Sequence, residues 1–266
     1  MRSILALMRV SWLSAISYRI GTVISLVGLL ASVVPVYFLS KAVQTIAAES
    51  IRAEGGDYFG FVIVGLASVF LLSSAIAAIP GALAGSIGSG TFESLTVTRT
   101  SLPVILIGMS GYSLVQSGLR ALMLIGGAAV LGVDVAWRML PAVAVIAALM
   151  IVAYGAIGLF AAALVLVFRT SGPLITAVIA GSGLLGGVYY STAVIPGWIQ
   201  ALSGLVPLTY ALRATRMLLL GGASVSAVSG DVVILALIGA VGLAVGSVVF
   251  GLALRHARAA GTLSQY

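Results

Sequence analysis

The chain has 266 residues, of which 61% are hydrophobic and 7% charged, with a mean hydropathy of +1.26 and a formal net charge of +7. Soluble domains carry about 25% charged residues, so this composition excludes a soluble globular protein and defines an integral membrane protein. The basic residues are dispersed, which argues against nucleic-acid binding and for topology and attraction to anionic lipid. Zero cysteines exclude disulfides and thiolate metal sites.

In chain order, residues 1–19 read as a helix lying in the membrane interface, where Arg2, Arg9, Arg19 and Trp12 suit the headgroup region. Leu13 and Ile16 fall near the angle of Arg2 and Arg9, so a poorly amphipathic lead-in to the first span is an equal reading. Arg9 and Arg19 interrupt the stretch before the first clean apolar run, which departs from a signal-peptide layout. Six apolar runs follow, at 20–40, 58–79, 104–133, 141–168, 173–194 and 232–254. Each meets or exceeds the roughly 20 residues that carry a helix across the hydrocarbon. The expected fold is therefore all-α, with six transmembrane helices in a single domain over 1–266 and both termini on one side.

Charge orients the spans. With cytoplasmic termini, the inner segments hold Arg2, Arg9, Arg19, Arg99, Arg169, Arg255 and Arg258 against Glu93 alone. The outer segments hold Lys41, Arg52, Arg138, Arg213 and Arg216, which Glu49, Glu54, Asp57, Asp134 and Asp231 cancel. The basic excess inside follows the positive-inside rule. The Gly, Ala, Val and Arg bias, with a single lysine, suggests a GC-rich bacterial source, and hence a multi-pass protein of the bacterial cytoplasmic membrane.

Two non-spanning stretches carry most of the information. After the second run, 80–103 reads PGALAGSIGSGTFESLTVTRTSLP. Glu93 early and Arg99 late complement a helix dipole, so a short cytoplasmic helix over about 90–100 is expected, with an ordinary capped connector as the plain alternative. After the fifth run, 189–222 carries Pro196 and Pro207 where proline opens helices, and Gly204 and Gly221 where glycine ends them. Two short helices are expected there, dipping into the outer leaflet or anchoring at the interface. Tyr189, Tyr190, Trp198 and Tyr210 sit among them, and Arg213 and Arg216 share a helix face.

No carboxylate falls deep in an apolar run, so the relays of an ion-coupled carrier are missing from the spans. Arg120 is the one charge deep in such a run. It lies 14 positions before Asp134, roughly 21 Å along a helix. It either snorkels toward the inner surface or, with Gln116 and Ser117 nearby, faces a cavity shared by two subunits. The chain has no GxxxxGK[ST] loop, and its only lysine, Lys41, lies in an outer loop, so it does not cradle a nucleotide triphosphate in the usual way. His256 has no acidic neighbour and reads as a solvated tail residue. Gly81 with Gly85 and Gly242 with Gly246 match a close-packing motif, although 33 glycines produce several such pairs by chance.

The residues Gly90, Thr91, Phe92, Glu93 and Leu95, together with Pro196, Trp198, Pro207, Leu208, Thr209, Tyr210, Arg216 and Gly221, give the chain a pattern that resembles the type-2 ABC transporter permeases. The resemblance covers essentially the whole chain. It implies a permease subunit that pairs with a second, identical or related permease and rests on two cytoplasmic ABC ATPase subunits, which bind the ATP and Mg. It further implies that Gly90, Thr91, Phe92 and Glu93 couple ATPase closure to the spans. Ser86, Ile87, Gly88 and Ser89 depart from the family, whose members often carry further charged residues there. This departure bears on the ATPase contact and on pairing with a non-identical permease. Arg120, Pro196, Trp198, Pro207, Tyr210, Arg213 and Arg216 are the candidates for a substrate path or gate. The expected cargo is an amphipathic drug, antibiotic or lipid moved outward, with a polysaccharide or lipid-linked glycan as the alternative. A gradient-driven carrier is the less favoured class. No catalytic, cofactor or metal site is expected in this chain.

Overall fold

A computed structural model describes residues 19–88, 90, 102–168 and 170–259. Among them the regular structure is helical: α1 Arg19–Ala47, α2 Tyr58–Gly88, α3 Leu102–Val130, α4 Leu140–Phe168, α5 Gly172–Leu185, α6 Gly197–Ser203, α7 Pro207–Leu219 and α8 Ser229–Ala259. Helices suit such a sequence because each satisfies its own backbone polar groups away from water. Five helical segments are long and apolar enough to cross a membrane: Val27–Ala47, Tyr58–Gly88, Ser110–Val130, Trp137–Phe168 and Val225–Ala257.

α2 and α4 form the centre of the bundle. α2 packs on α3 and α4, and α4 packs on α8 along most of its length. Leu72, Ile76, Ile146, Met150 and Tyr154 are buried between them. α1 packs mainly on α2 and α3, and Val27, Val34 and Phe38 stay exposed. The connections 48–57, 131–136 and 220–228 meet at one end of the bundle, which holds Glu49, Glu54, Asp57, Asp134 and Asp231 and is called here the acidic end. There Asp57 caps α2 by accepting from the Gly60 N–H at 2.9 Å. Gln44 joins α1 to the same turn, donating to the Gly56 carbonyl at 2.7 Å and accepting from the Tyr58 N–H at 2.8 Å.

Three boundaries differ from the sequence expectation. The first helix continues to Ala47, so the outer loop expected over 41–57 shrinks to about ten residues. α2 passes through Pro80 to Gly88, making part of the expected loop helical. Pro80 has no N–H for the Ile76 carbonyl one turn earlier. At that carbonyl α4 brings in Gly158, whose added Cβ would stand 2.8 Å from the oxygen. An α-hydrogen therefore points at the orphaned acceptor, and the helix tolerates its proline.

The third difference is the fifth run. Its helix ends at Leu185, 14 residues and about 21 Å from its start, short of the roughly 30 Å of hydrocarbon. The run expected over 173–194 is broken by glycine. Gly187 adopts φ +76°, which other residues rarely do. A Cβ on Gly186 would meet the Ser182 carbonyl at 2.5 Å and Leu208 at 2.8 Å. The glycine pair thus turns the chain and lets the start of α7 pack where a longer helix would have continued.

Of the two glycine pairs, one packs tightly. Cβ atoms on Gly242 and Gly246 of α8 would stand 3.1 Å and 2.7 Å from atoms of Ala156 on α4, whereas Gly81 and Gly85 have open space around them among the described residues.

Candidate functional site

α7 is the element around which the candidate residues gather. Pro207 opens it with a preset φ, but the preceding Val206 offers no side-chain cap. The cap comes from another helix. Tyr154, fully buried in the middle of α4, lets its hydroxyl oxygen accept from the Leu208 N–H at 3.3 Å and pairs with Ser182 of α5. One hydroxyl thereby joins α4, α5 and the first turn of α7. The link from α6 is closed by Thr209, donating to the Ser203 carbonyl at 2.8 Å, and by Tyr210, donating to the Gly204 carbonyl at 2.8 Å.

Arg216, one turn from the end of α7, is 2% exposed. Its guanidinium donates to the Phe61 carbonyl from Nε at 3.2 Å and Nη2 at 3.0 Å, to the Gly187 carbonyl at 2.9 Å and to the Val188 carbonyl at 2.9 Å. Nη1 also pairs with Glu54 at 3.3 Å, and the guanidinium lies 3.3 Å from the centroid of the Phe61 ring. The planar fork thus holds the start of α2, the turn after α5 and the 52–54 turn against α7. Gly65 makes room for it: a Cβ there would stand 2.6 Å from the Val188 carbonyl and 3.0 Å from Arg216 Nη2. Burial raises the Glu54 carboxyl above its ordinary range, against the opposing pull of Arg216.

Arg213 faces the other way. It forms a two-point ion pair with Asp231 in the first turn of α8, with Nε to Oδ2 at 2.9 Å and Nη2 to Oδ1. Asp231 suits a helix N-terminus. The Arg213 guanidinium also lies 5.6 Å from the Tyr210 ring, and the hydrogen bond it donates to Asp231 raises its already high pKa. α7 is therefore pinned on both sides, to α2 and α5 by Arg216 and to α8 by Arg213.

The structure brings Pro207, Tyr210, Arg213 and Arg216 together on α7. Pro196 and Trp198 stand apart at the start of α6, where Trp198 is 70% exposed. Arg120 lies on α3, half-buried between exposed Leu119 and buried Ala121. Its neighbour Ser117 donates its hydroxyl to the Leu114 carbonyl at 2.9 Å. Gly90 follows α2 in a turn with φ +67°. Thr91, Phe92 and Glu93, like residues 1–18 and the rest of the expected 90–100 helix, lie outside the described residues. Sequence reasoning missed Tyr154, Glu54 and Phe61. A lone tyrosine in the apolar run of α4 was the available signal for the first.

The interior among α2, α3, α4 and α7 contains a cavity of about 40 Å³, lined by Ser68, Ala121, Met150 and Thr215 among others. That is room for a water or two and not for a larger solute.

The ABC-2 type transporter family matches residues 2–220. The chain belongs to that family: it is a multi-pass transporter membrane domain, not itself an ATPase, and the family implies partnership with an ABC ATPase subunit. The match stops at Leu220, just after α7, so α8 lies beyond it. No curated protein matches the chain.

Proposed function

We propose that the chain is the membrane-spanning permease subunit of an ATP-driven exporter in the bacterial cytoplasmic membrane. The observation that carries this reading is the family match over 2–220 in a chain without a nucleotide-binding loop. Two permease subunits, identical or related, pair above two ATPase subunits that supply bound ATP and Mg. The narrow interior of one chain favours a route between two subunits over a route through one.

In this reading the acidic end faces outward and both termini are cytoplasmic. α5, continued by the turn at Gly186–Gly187, serves as the sixth crossing, and α6 and α7 dip into the outer leaflet and return. Such a short crossing is supported by the way Arg216 gathers the Gly187 and Val188 carbonyls with the start of α2. The segment of Gly90, Thr91, Phe92 and Glu93 transmits ATPase closure. Arg120, Pro196 and Trp198 are the candidates for contact with cargo, whereas Arg213 and Arg216 hold the frame of the gate. The cargo is an amphipathic drug, antibiotic or lipid-like molecule moved outward, a class favoured by the exposed aromatic and apolar residues of α6.

The test is co-purification of the tagged chain in mild detergent, with ATPase activity assayed for wild type and Glu93→Ala. Recovery of a nucleotide-binding subunit whose association or activity falls in the variant is the expected result. A chain that purifies alone and transports under an ion gradient without ATP would overturn the proposal.

A further inference from the structure

A groove of about 330 Å³ runs between α4 and α8 beneath the start of α7. Its lining includes Ala156 and Phe160 from α4, Pro207 from α7, and Ile238, Gly242 and Val245 from α8, all without polar side chains. Phe160 and Val245 are exposed, so the groove opens sideways, on the flank of two membrane-spanning helices. Its depth along α8 is set by the helical rise. From Asp231 to Gly246 is 15 residues, about 22 Å, which matches one leaflet including its headgroups, about half of 40–45 Å.

Above this groove stands a charged rim. Asp231, Ile238, Gly242 and Val245 are spaced by seven, four and three residues, so they lie on one face of α8. At the top of that face Asp231 holds Arg213 through Nε and Nη2, leaving Nη1 with no hydrogen bond among the described residues. The Arg213 side chain is 48% exposed, whereas that of Asp231 is 9% exposed. The rim thus presents a cation anchored by a shielded carboxylate, about 10 Å above the upper lining of an apolar groove.

We propose that this is a phospholipid site, with the lipid phosphate on Arg213 Nη1 and one acyl chain in the groove between α4 and α8. The shape asks for a hydrocarbon chain, because a groove without polar side chains at the depth of the bilayer core offers water few partners. The rim asks for an anion at the level where lipid phosphates stand, and the N–H groups of Arg213 Nη1 can donate charge-assisted hydrogen bonds to phosphate oxygens. The site tethers α7 to α8 through the bilayer itself. It rests on the chain spanning the membrane and is independent of cargo and transport direction.

The experiment uses the full chain with whatever ATPase subunit accompanies it, taken from vesicles of equal phosphatidylglycerol and phosphatidylethanolamine and examined by native mass spectrometry. Wild type should retain phospholipid. Val245→Trp, which fills the groove from its open side, and the double variant Arg213→Gln with Asp231→Asn, which removes the cation without leaving a buried charge unpaired, should each lower retention by about tenfold or more. Retention at the wild-type level in either variant overturns the site. So does displacement of the lipid by an alkyl maltoside, which offers a chain and no phosphate, as readily as by added phosphatidylglycerol. A readout without variants guards against misfolding: a phosphatidylglycerol with a photoreactive acyl chain should label wild type within 153–160 or 238–246. Labelling elsewhere, including exclusion from those segments because a second copy covers the groove, overturns the proposal.

Discussion

Arg216 lies with its guanidinium 3.3 Å from the Phe61 ring centroid while two of its nitrogens donate to the carbonyl of the same residue. Phe61 therefore offers both a π face and a backbone acceptor to one buried cation. Phe61 is itself fully buried, and beside it Gly187 and Val188 turn their carbonyls inward. A desolvated cation–π contact contributes about 2 kcal/mol. The larger consequence concerns the three carbonyls, which have no water to fall back on once the guanidinium is gone.

Arg216→Gln should accordingly be among the most damaging substitutions in the chain, costing about 3–5 kcal/mol, because it strands both Glu54 and the backbone acceptors. Arg216→Lys should recover only part of the loss, since an ammonium cannot reach Phe61, Gly187 and Val188 in one plane. Thermal unfolding in a fixed detergent measures both. A lysine variant as stable as wild type would show that charge alone, and not the fork, holds the junction.

Tyr154→Phe isolates the borrowed helix cap. It keeps the buried ring and removes only the oxygen that accepts from the Leu208 N–H and pairs with Ser182. The expected cost is about 1–3 kcal/mol, the penalty for leaving a buried donor without a partner. Amide exchange at the first turn of α7 should accelerate more than exchange in the middle of α2. Uniform acceleration across both would mean that the hydroxyl stabilises the bundle generally and does not act as a cap.

Glycine substitutions should sort by contact and not by motif. Gly158→Ala presses a methyl against the Ile76 carbonyl at 2.8 Å, and Gly246→Ala presses one against the Ala156 carbonyl at 2.7 Å. Each should cost about 1–3 kcal/mol as overpacking against backbone. Gly81→Ala and Gly85→Ala meet open space among the described residues and should change the melting temperature little, or raise it through better helix propensity. Equal damage at both pairs would return weight to the spacing motif.

These cases mark what the sequence could and could not reveal. Apolar run length was enough to locate five long helices, and Pro196 and Pro207 announced the starts of α6 and α7, because a proline's missing N–H costs nothing in a first turn. The early end of α5 was hidden, since glycines are common in membrane helices and Gly186–Gly187 sit inside an otherwise apolar run. The passage of α2 through Pro80 depends on Gly158, 78 residues away. Arg216 was visible as a charge near an expected interface, but its partners are mostly backbone carbonyls, which every residue supplies and no side chain announces. The interface expectation for Arg213 and the clamp at Arg216 therefore separate only in three dimensions.

Glu54 gives the clamp a pH dependence whose sign follows from its environment. Burial raises its carboxyl above the ordinary value of 4.5 despite Arg216 nearby. The folded protein therefore holds that proton more tightly than the unfolded chain does. Stability from this group is fully present below the unfolded value and is lost as pH rises through the folded one. Glu54→Gln does not titrate, so the melting temperature of wild type relative to the variant should increase as pH falls from neutrality toward 4.5. Paired melts in the same detergent across that range give the slope directly. The opposite slope, with wild type losing ground on acidification, would mean that the Arg216 ion pair outweighs burial and that the carboxylate is the form the fold prefers.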